Sequence, residues 1–137
     1  AGIEGMIGGQ VIDVLGENNN MDREKLLYMY ETKTGAFFKT DIVSGAIIGG
    51  ASKEELQILE EYSNLLGLSY QIQDDLLDIE EDRDINKTTY LSFYGIQKSQ
   101  NDLEFYTNKC YELLDSLDNN KTLFLKELTK MLINRKK

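Results

Sequence analysis

The chain has 137 residues, 41% of them apolar, a net charge of −9, and neither histidine nor proline. That length suits a single domain able to bury roughly two-thirds of its unfolded surface, and the acidity argues against a basic nucleic-acid-binding face. The missing histidine excludes Ser-His, Cys-His and His-metal chemistry within the chain.

A lone cysteine, Cys110, cannot form an internal disulfide and fits a reducing compartment. In "YTNKCYELL" it reads as a small core residue rather than a nucleophile. The sequence shows no signal peptide and no apolar run near about eighteen residues, so the expectation is a cytoplasmic protein without an integral membrane segment.

With no proline to break helices, Gly, Asn and Asp must supply the punctuation. "EGMIGGQVIDVL" (4–15) spaces Met6, Gln10, Asp13 and Val14 at helical intervals, and ends at Gly16 before the loop "ENNN". The next segment, about 22–49, carries Leu26, Leu27, Met29, Tyr30, Phe37, Phe38, Ile42 and Ala46 with a helical period, not a strand's alternation. Ser52 followed by Glu55 is a capping box, and it opens the longest predicted helix, about 53–80. A polar break at 80–87 precedes a short helix in "TTYLSFYG"; amphipathic helices follow at about 99–117 and 121–135, separated by "DNN". The expected fold class is all-α, with long helices packed antiparallel in one domain spanning 1–137.

The stretch "SYQIQDDLLDIEED" (69–82) concentrates carboxylates without a single lysine or arginine. Gln71, Asp74, Asp75 and Asp78 recur at i, i+3, i+4 and i+7, one stripe of a helix, with Leu65, Leu68, Ile72, Leu76 and Ile79 opposite. On an open surface such crowding costs a few tenths of a kcal/mol. In a cleft, two carboxylates about 6 Å apart at an effective dielectric of about 20 repel by roughly 3 kcal/mol, and a cation must offset that. Hard oxygen ligands without imidazole or thiolate select Mg²⁺ or Ca²⁺ over zinc. The bland alternative is a solvated acidic face. A calcium loop is a second, because Asp78, Glu80, Asp82 and Asp84 alternate, but Arg83 stands where that loop needs Gly and Thr89 where it needs Glu.

"LGLSYQIQDDLLDIEED" resembles the second aspartate-rich motif of the trans-isoprenyl diphosphate synthases, DDxxD behind an aromatic-Gln pair. "GMIGGQVID" resembles that family's GGQxxD helix, "ETKTGAFF" its lysine-threonine motif, "NKTTYLSFYG" its K-x-T-[YFL] segment, and "LINRKK" its basic C-terminal end. The five segments occur in family order, and the whole most resembles the bacterial short-chain members that make farnesyl diphosphate. The resemblance implies an isoprenoid-synthase helical bundle around a central cavity, of which this chain would be the C-terminal portion. It implies a Mg²⁺-dependent prenyltransferase that ionises an allylic diphosphate, dimethylallyl or geranyl. Isopentenyl diphosphate then attacks the cation, and a proton is lost.

Carried over residue by residue, the family's roles assign Asp74, Asp75 and Asp78 to Mg²⁺, directly or through water. They assign Lys33, Thr34, Gln71 and Lys87 to the diphosphate, with Lys33, Lys87 and Asp74 carrying catalysis. Gln10 and Asp13 would support the site or pack helices, and Gly8, Gly9 and Gly35 would permit helix crossings. The partners implied are the two diphosphates and a second copy in a homodimer. The family's other aspartate-rich motif and its N-terminal basic region have no counterpart in the chain, so the chain alone is expected to lack synthase activity. The span from Asp78 to Lys87 is also about ten residues shorter than the family's usual loop, and its Gly-Lys pair is missing. The rival reading is a non-catalytic helical subunit that acts by partnering.

Overall fold

The computed structural model describes residues 22–79, 88–117 and 122–134, and these are helical with no strand among them. The expected first helix, with Gln10 and Asp13, lies outside the described residues, as do the 80–87 break with Lys87 and the basic end from 135 onward. Helix α1 (Arg23–Tyr30) starts where the Asp22 carboxylate accepts from the Lys25 backbone N–H at 2.8 Å. That bond satisfies one of the donors a helix start leaves without a partner. Helix α1 runs without a break into a single π-helical turn, Glu31–Gly35, and then α2 (Ala36–Ile48). The segment expected as one continuous helix is therefore two α-helices joined by a wider turn. Periodicity could not reveal this, because one added residue in a helical repeat leaves both halves amphipathic.

The capping box forms as the sequence requires. Glu55 N–H donates to Ser52 Oγ at 3.1 Å, and Ser52 N–H to Glu55 Oε1 at 3.0 Å. Helix α3 (Lys53–Leu77) follows, and Asp78 closes it with its N–H on the Asp74 carbonyl at 3.0 Å. Helix α4 (Tyr90–Asp115) joins two segments that the sequence reading separated. The break between them survives as a kink at Gly95 (φ +77°), a left-handed conformation that a side chain would strain. Helix α5 (Thr122–Ile133) packs against α4 and α3.

Among the described elements α3 alone touches all the others. Around its first half lies a core of Leu59, Tyr62, Leu66, Cys110, Leu114 and Ile133. The Tyr62 hydroxyl is satisfied there by the Leu125 carbonyl at 3.2 Å and the Thr129 hydroxyl at 2.7 Å, which fixes α5 to α3. Around the second half lies another core: Leu26, Met29, Tyr30, Ile72 and Tyr90. Both halves of the carboxylate helix are thus packed before any ligand is considered.

Helix α2 is less covered. Phe37, Ile47 and Ile48 are 53%, 59% and 87% exposed, and a cavity of about 610 Å³ opens between α2 and α5, with Phe38, Ile42, Leu59 and Phe124 on its walls. Leu59 and Asp74 are fifteen residues apart on one helix, about 22 Å at 1.5 Å per residue. The Leu59 end of the cavity is therefore remote from the carboxylates, while its Phe38 wall meets Tyr70, beside Gln71, at 5.7 Å between ring centroids. No helix among the described residues is long and apolar enough to cross a membrane.

Cys110 is fully buried, and burial pushes its thiol up to about 12. Both its access and its thiolate fraction are then small. Iodoacetamide at pH 8 should leave Cys110 unmodified in the folded protein and label it once denaturant is added, as read in a peptide map. Native-state labelling at the rate of a free cysteine would contradict the packing described.

Candidate functional site around the C-terminal end of helix α3

The site is built where three pieces of chain meet: the π-helical turn, the last turns of α3, and the first residue of α4. The contact is close because two glycines face each other. A Cβ placed on Gly67 would lie 2.7 Å from the Gly35 Cα and 2.8 Å from its N, which no side chain tolerates. The sequence reading assigned Gly35 a crossing role, and the structure agrees. Its partner Gly67 was missed, because a lone glycine inside an otherwise well-formed helix carries no address.

That approach brings the lysine-threonine pair beside the carboxylate helix. Thr34 Oγ1 donates to Gln71 Oε1 at 3.2 Å, so two of the expected diphosphate residues are in direct contact. Lys33, the preceding residue, is exposed. Asp74 and Asp78 are partly exposed and share a helix face at i, i+4 spacing.

Asp75 behaves differently. It is 7% exposed and packs on the side of Ile72 and Tyr30. Its Oδ2 accepts one hydrogen bond from the Tyr30 hydroxyl and a second from the Tyr90 backbone N–H at 3.1 Å. Its Oδ1 accepts from Gln71 Nε2 at 3.4 Å. The sequence spacing put Asp75 on the same stripe as Asp74 and Asp78, but that stripe is about 100° wide, and its inner edge has rolled into the core.

Burial raises the Asp75 carboxyl above the usual carboxylate range, and its three hydrogen bonds offset only part of that. The Tyr30 phenol is pushed up by burial and by the neighbouring Asp75 charge, so at neutral pH the phenol holds its proton and donates it. Tyr90 continues the network outward: its hydroxyl donates to Asp102 Oδ2 at 2.6 Å, and Lys98 Nζ pairs with Asp102 Oδ1 at 3.0 Å. Neither Tyr30 nor Tyr90 was a candidate from sequence. Tyr30 read as one more apolar position of α1, and nothing local marks a tyrosine as the partner of a carboxylate forty-five residues away.

No group of three or more Asp, Glu or Cys residues converges as a ready-made metal cage among the described residues. What the end of α3 offers is a pair, Asp74 and Asp78. Mg²⁺ is commonly held by one or two carboxylates together with substrate phosphates and water rather than by an all-protein cage, so the pair fits such an ion when a diphosphate is present. Lys87, Gln10 and Asp13 cannot be placed relative to it, being outside the described residues.

The crossing itself can be tested. Gly67→Ala should destabilise the protein by about 1–3 kcal/mol, the usual cost of forcing an added methyl into a closed contact. A denaturant midpoint reads this, and an unchanged midpoint would mean that the two glycines are not in contact.

A model of the polyprenyl synthetase family matches residues 2–90. The chain is 32% identical over 134 residues to the farnesyl diphosphate synthase of Bacillus subtilis, covering 90% of this chain and 45% of that protein. Among solved structures, it superposes on an FPP/GFPP synthase from Zymomonas mobilis with a TM-score of 0.85 at 30% identity, over 96% of this chain and 46% of that one. It superposes on the Helicobacter pylori geranyltransferase complexed with magnesium and isoprenyl diphosphate with a TM-score of 0.77 at 26% identity, over 97% and 47%. The chain thus spans about half the length of the relatives it matches.

Proposed function

The chain belongs to the polyprenyl synthetase family, and we propose that it forms the C-terminal half of a single-domain, Mg²⁺-dependent prenyltransferase. The intact protein would condense an allylic diphosphate with isopentenyl diphosphate. The observation that carries this reading is the Thr34–Gln71 hydrogen bond, which sets the lysine-threonine segment against the carboxylate helix. One half of a diphosphate pocket is then cationic and hydroxylic, and the other is suited to a divalent ion.

In this reading Asp74 and Asp78 hold Mg²⁺ together with the diphosphate. When bound, the ion would neutralise charge that develops on the leaving group. Lys33 reaches the same diphosphate from the π-helical turn. Thr34 and Gln71, fixed on each other, keep its oxygens in register. Lys87, on the segment that leads into α4, is proposed to add a further positive charge.

The bond that breaks is the allylic C–O bond, and its electrons leave with the diphosphate. The isopentenyl double bond supplies the pair for the new C–C bond, and a proton is lost to restore neutrality. No side-chain nucleophile takes part, in keeping with a chain that has no histidine and buries its one cysteine. Preorganised charge at the departing group is the main contribution asked of the protein.

The name of the Bacillus subtilis relative supports farnesyl diphosphate as the product. The other proposed attributes are a cytoplasmic location, consistent with a reduced Cys110, and a homodimer, which the family resemblance implies. The exposed face of α2 suits a half-domain: Phe37, Ile47 and Ile48 are apolar surface that a complete bundle would cover.

Asp74→Ala in the intact polypeptide should lower turnover by about a hundredfold or more, since an interaction made chiefly with the departing charge is lost. Steady-state kinetics with geranyl and isopentenyl diphosphates would show this, and activity within about threefold of wild type would refute the metal assignment. Lys33→Ala should weaken allylic diphosphate binding by about tenfold or more, whereas Lys53→Ala, at the opposite end of α3, should change it little. Equal losses would mean that overall positive charge matters and the position of Lys33 does not.

A further inference from the structure

We propose that Asp75 is a positioning residue: its buried carboxylate ties the end of α1, the last turns of α3 and the start of α4 into the geometry that presents Asp74, Asp78 and Lys33. The inference rests on the synthase reading above, but assigns Asp75 a different task from its two neighbours.

Three observations support it. The first is the number of donors. Asp75 Oδ2 accepts from both Tyr30 Oη and Tyr90 N, and Oδ1 accepts from Gln71 Nε2. An oxygen with two good donors has used both its lone pairs, so Oδ2 can serve a cation only by abandoning one of them.

The second is where those donors sit. Tyr30 is the last residue of α1, immediately before the turn that carries Lys33 and Thr34. Tyr90 opens α4, and its N–H belongs to a helix's first turn, which has no acceptor within the helix. A carboxylate at that point satisfies the orphan donor and lies at the positive end of the α4 dipole.

The third is continuity. From Asp75 the hydrogen bonds run through Gln71 to Thr34, so a single connected path joins the carboxylate to the lysine-threonine segment. Rotating the Asp75 side chain toward solvent would leave the buried Tyr30 hydroxyl without its acceptor and the Tyr90 N–H with only its longer bond to Tyr30 Oη at 3.3 Å, a costly loss. The inner carboxylate of the motif therefore holds the frame while the outer two face the ligand.

The test uses the intact polypeptide and measures kcat, KM for geranyl diphosphate and the half-saturating Mg²⁺ concentration. Asn at position 75, with its amide oxygen where Oδ2 lies, retains an acceptor for both the Tyr30 hydroxyl and the Tyr90 N–H, so the frame survives in part. Asp75→Ala should lose about a hundredfold in kcat. Asp75→Asn should recover to within about tenfold of wild type, with half-saturating Mg²⁺ within about twofold; Asp74→Asn should raise that concentration by about tenfold or more. If Asp75→Asn raises the Mg²⁺ requirement as far as Asp74→Asn does, Asp75 is a metal ligand and the inference fails.

Hydrogen exchange judges the anchor without reference to catalysis. The Tyr90 amide should exchange at least tenfold faster in Asp75→Ala and at the wild-type rate in Asp74→Ala. Equal rates in the two variants would overturn the anchor. An Mg²⁺ requirement that Asp74→Asn fails to move would overturn only the synthase reading and leave the exchange result to decide the anchor.

Discussion

The contact between Gly35 and Gly67 sets the distance on which the rest of the site depends. A side chain at Gly67 would overlap the Gly35 backbone, so only glycine lets α3 lie against the π-helical turn this closely. Two hydrogen bonds depend on that spacing: Thr34 to Gln71 at 3.2 Å, and Tyr30 to the Asp75 carboxylate. Hydrogen bonds weaken steeply beyond their normal length, so a shift of one ångström between the elements would uncouple the lysine-threonine segment from the carboxylate helix. The π-helical turn works to the same end. By adding one residue to the helix it changes which residues of 31–35 face α3, which is a common use of such turns at functional sites.

Much of this fold was legible because local chemistry agreed with global packing. The Ser52–Glu55 box and the apolar repeat of α3 each named a feature that forms. What was not legible depended on contacts distant in sequence. The stripe Gln71–Asp74–Asp75–Asp78 has the right spacing for one face, yet a helix face is wide enough for its two edges to meet different surroundings. Asp74 and Asp78 are partly exposed, while Asp75 is buried. Only the positions of Tyr30 and Tyr90 decide that split, and both come from other helices. The proposed activity came from the resemblance of five segments to a family; composition and spacing alone favoured a solvated acidic surface.

The electrostatics of α3 explain why its carboxylates sit where they do. The last turn of a helix carries about half a negative charge from its unpaired carbonyls, so it favours lysine or arginine. The last turns of α3 hold Asp74 and Asp75, Asp78 caps them, and no basic residue lies in the final turn. Each aspartate there is worse placed than it would be at Lys53, where Glu54 and Glu55 already complement the dipole. A sequence that meets the dipole rule at one end of a helix and breaks it at the other has set its charge for something other than helix stability. Burying Asp75 under three donors removes one of those charges from the exposed face. Asp74 and Asp78 remain there, with the helix dipole adding to their negative potential. A divalent cation gains from all three sources at once. A diphosphate alone would be repelled by them, and it can approach this end of α3 only in the company of positive charge.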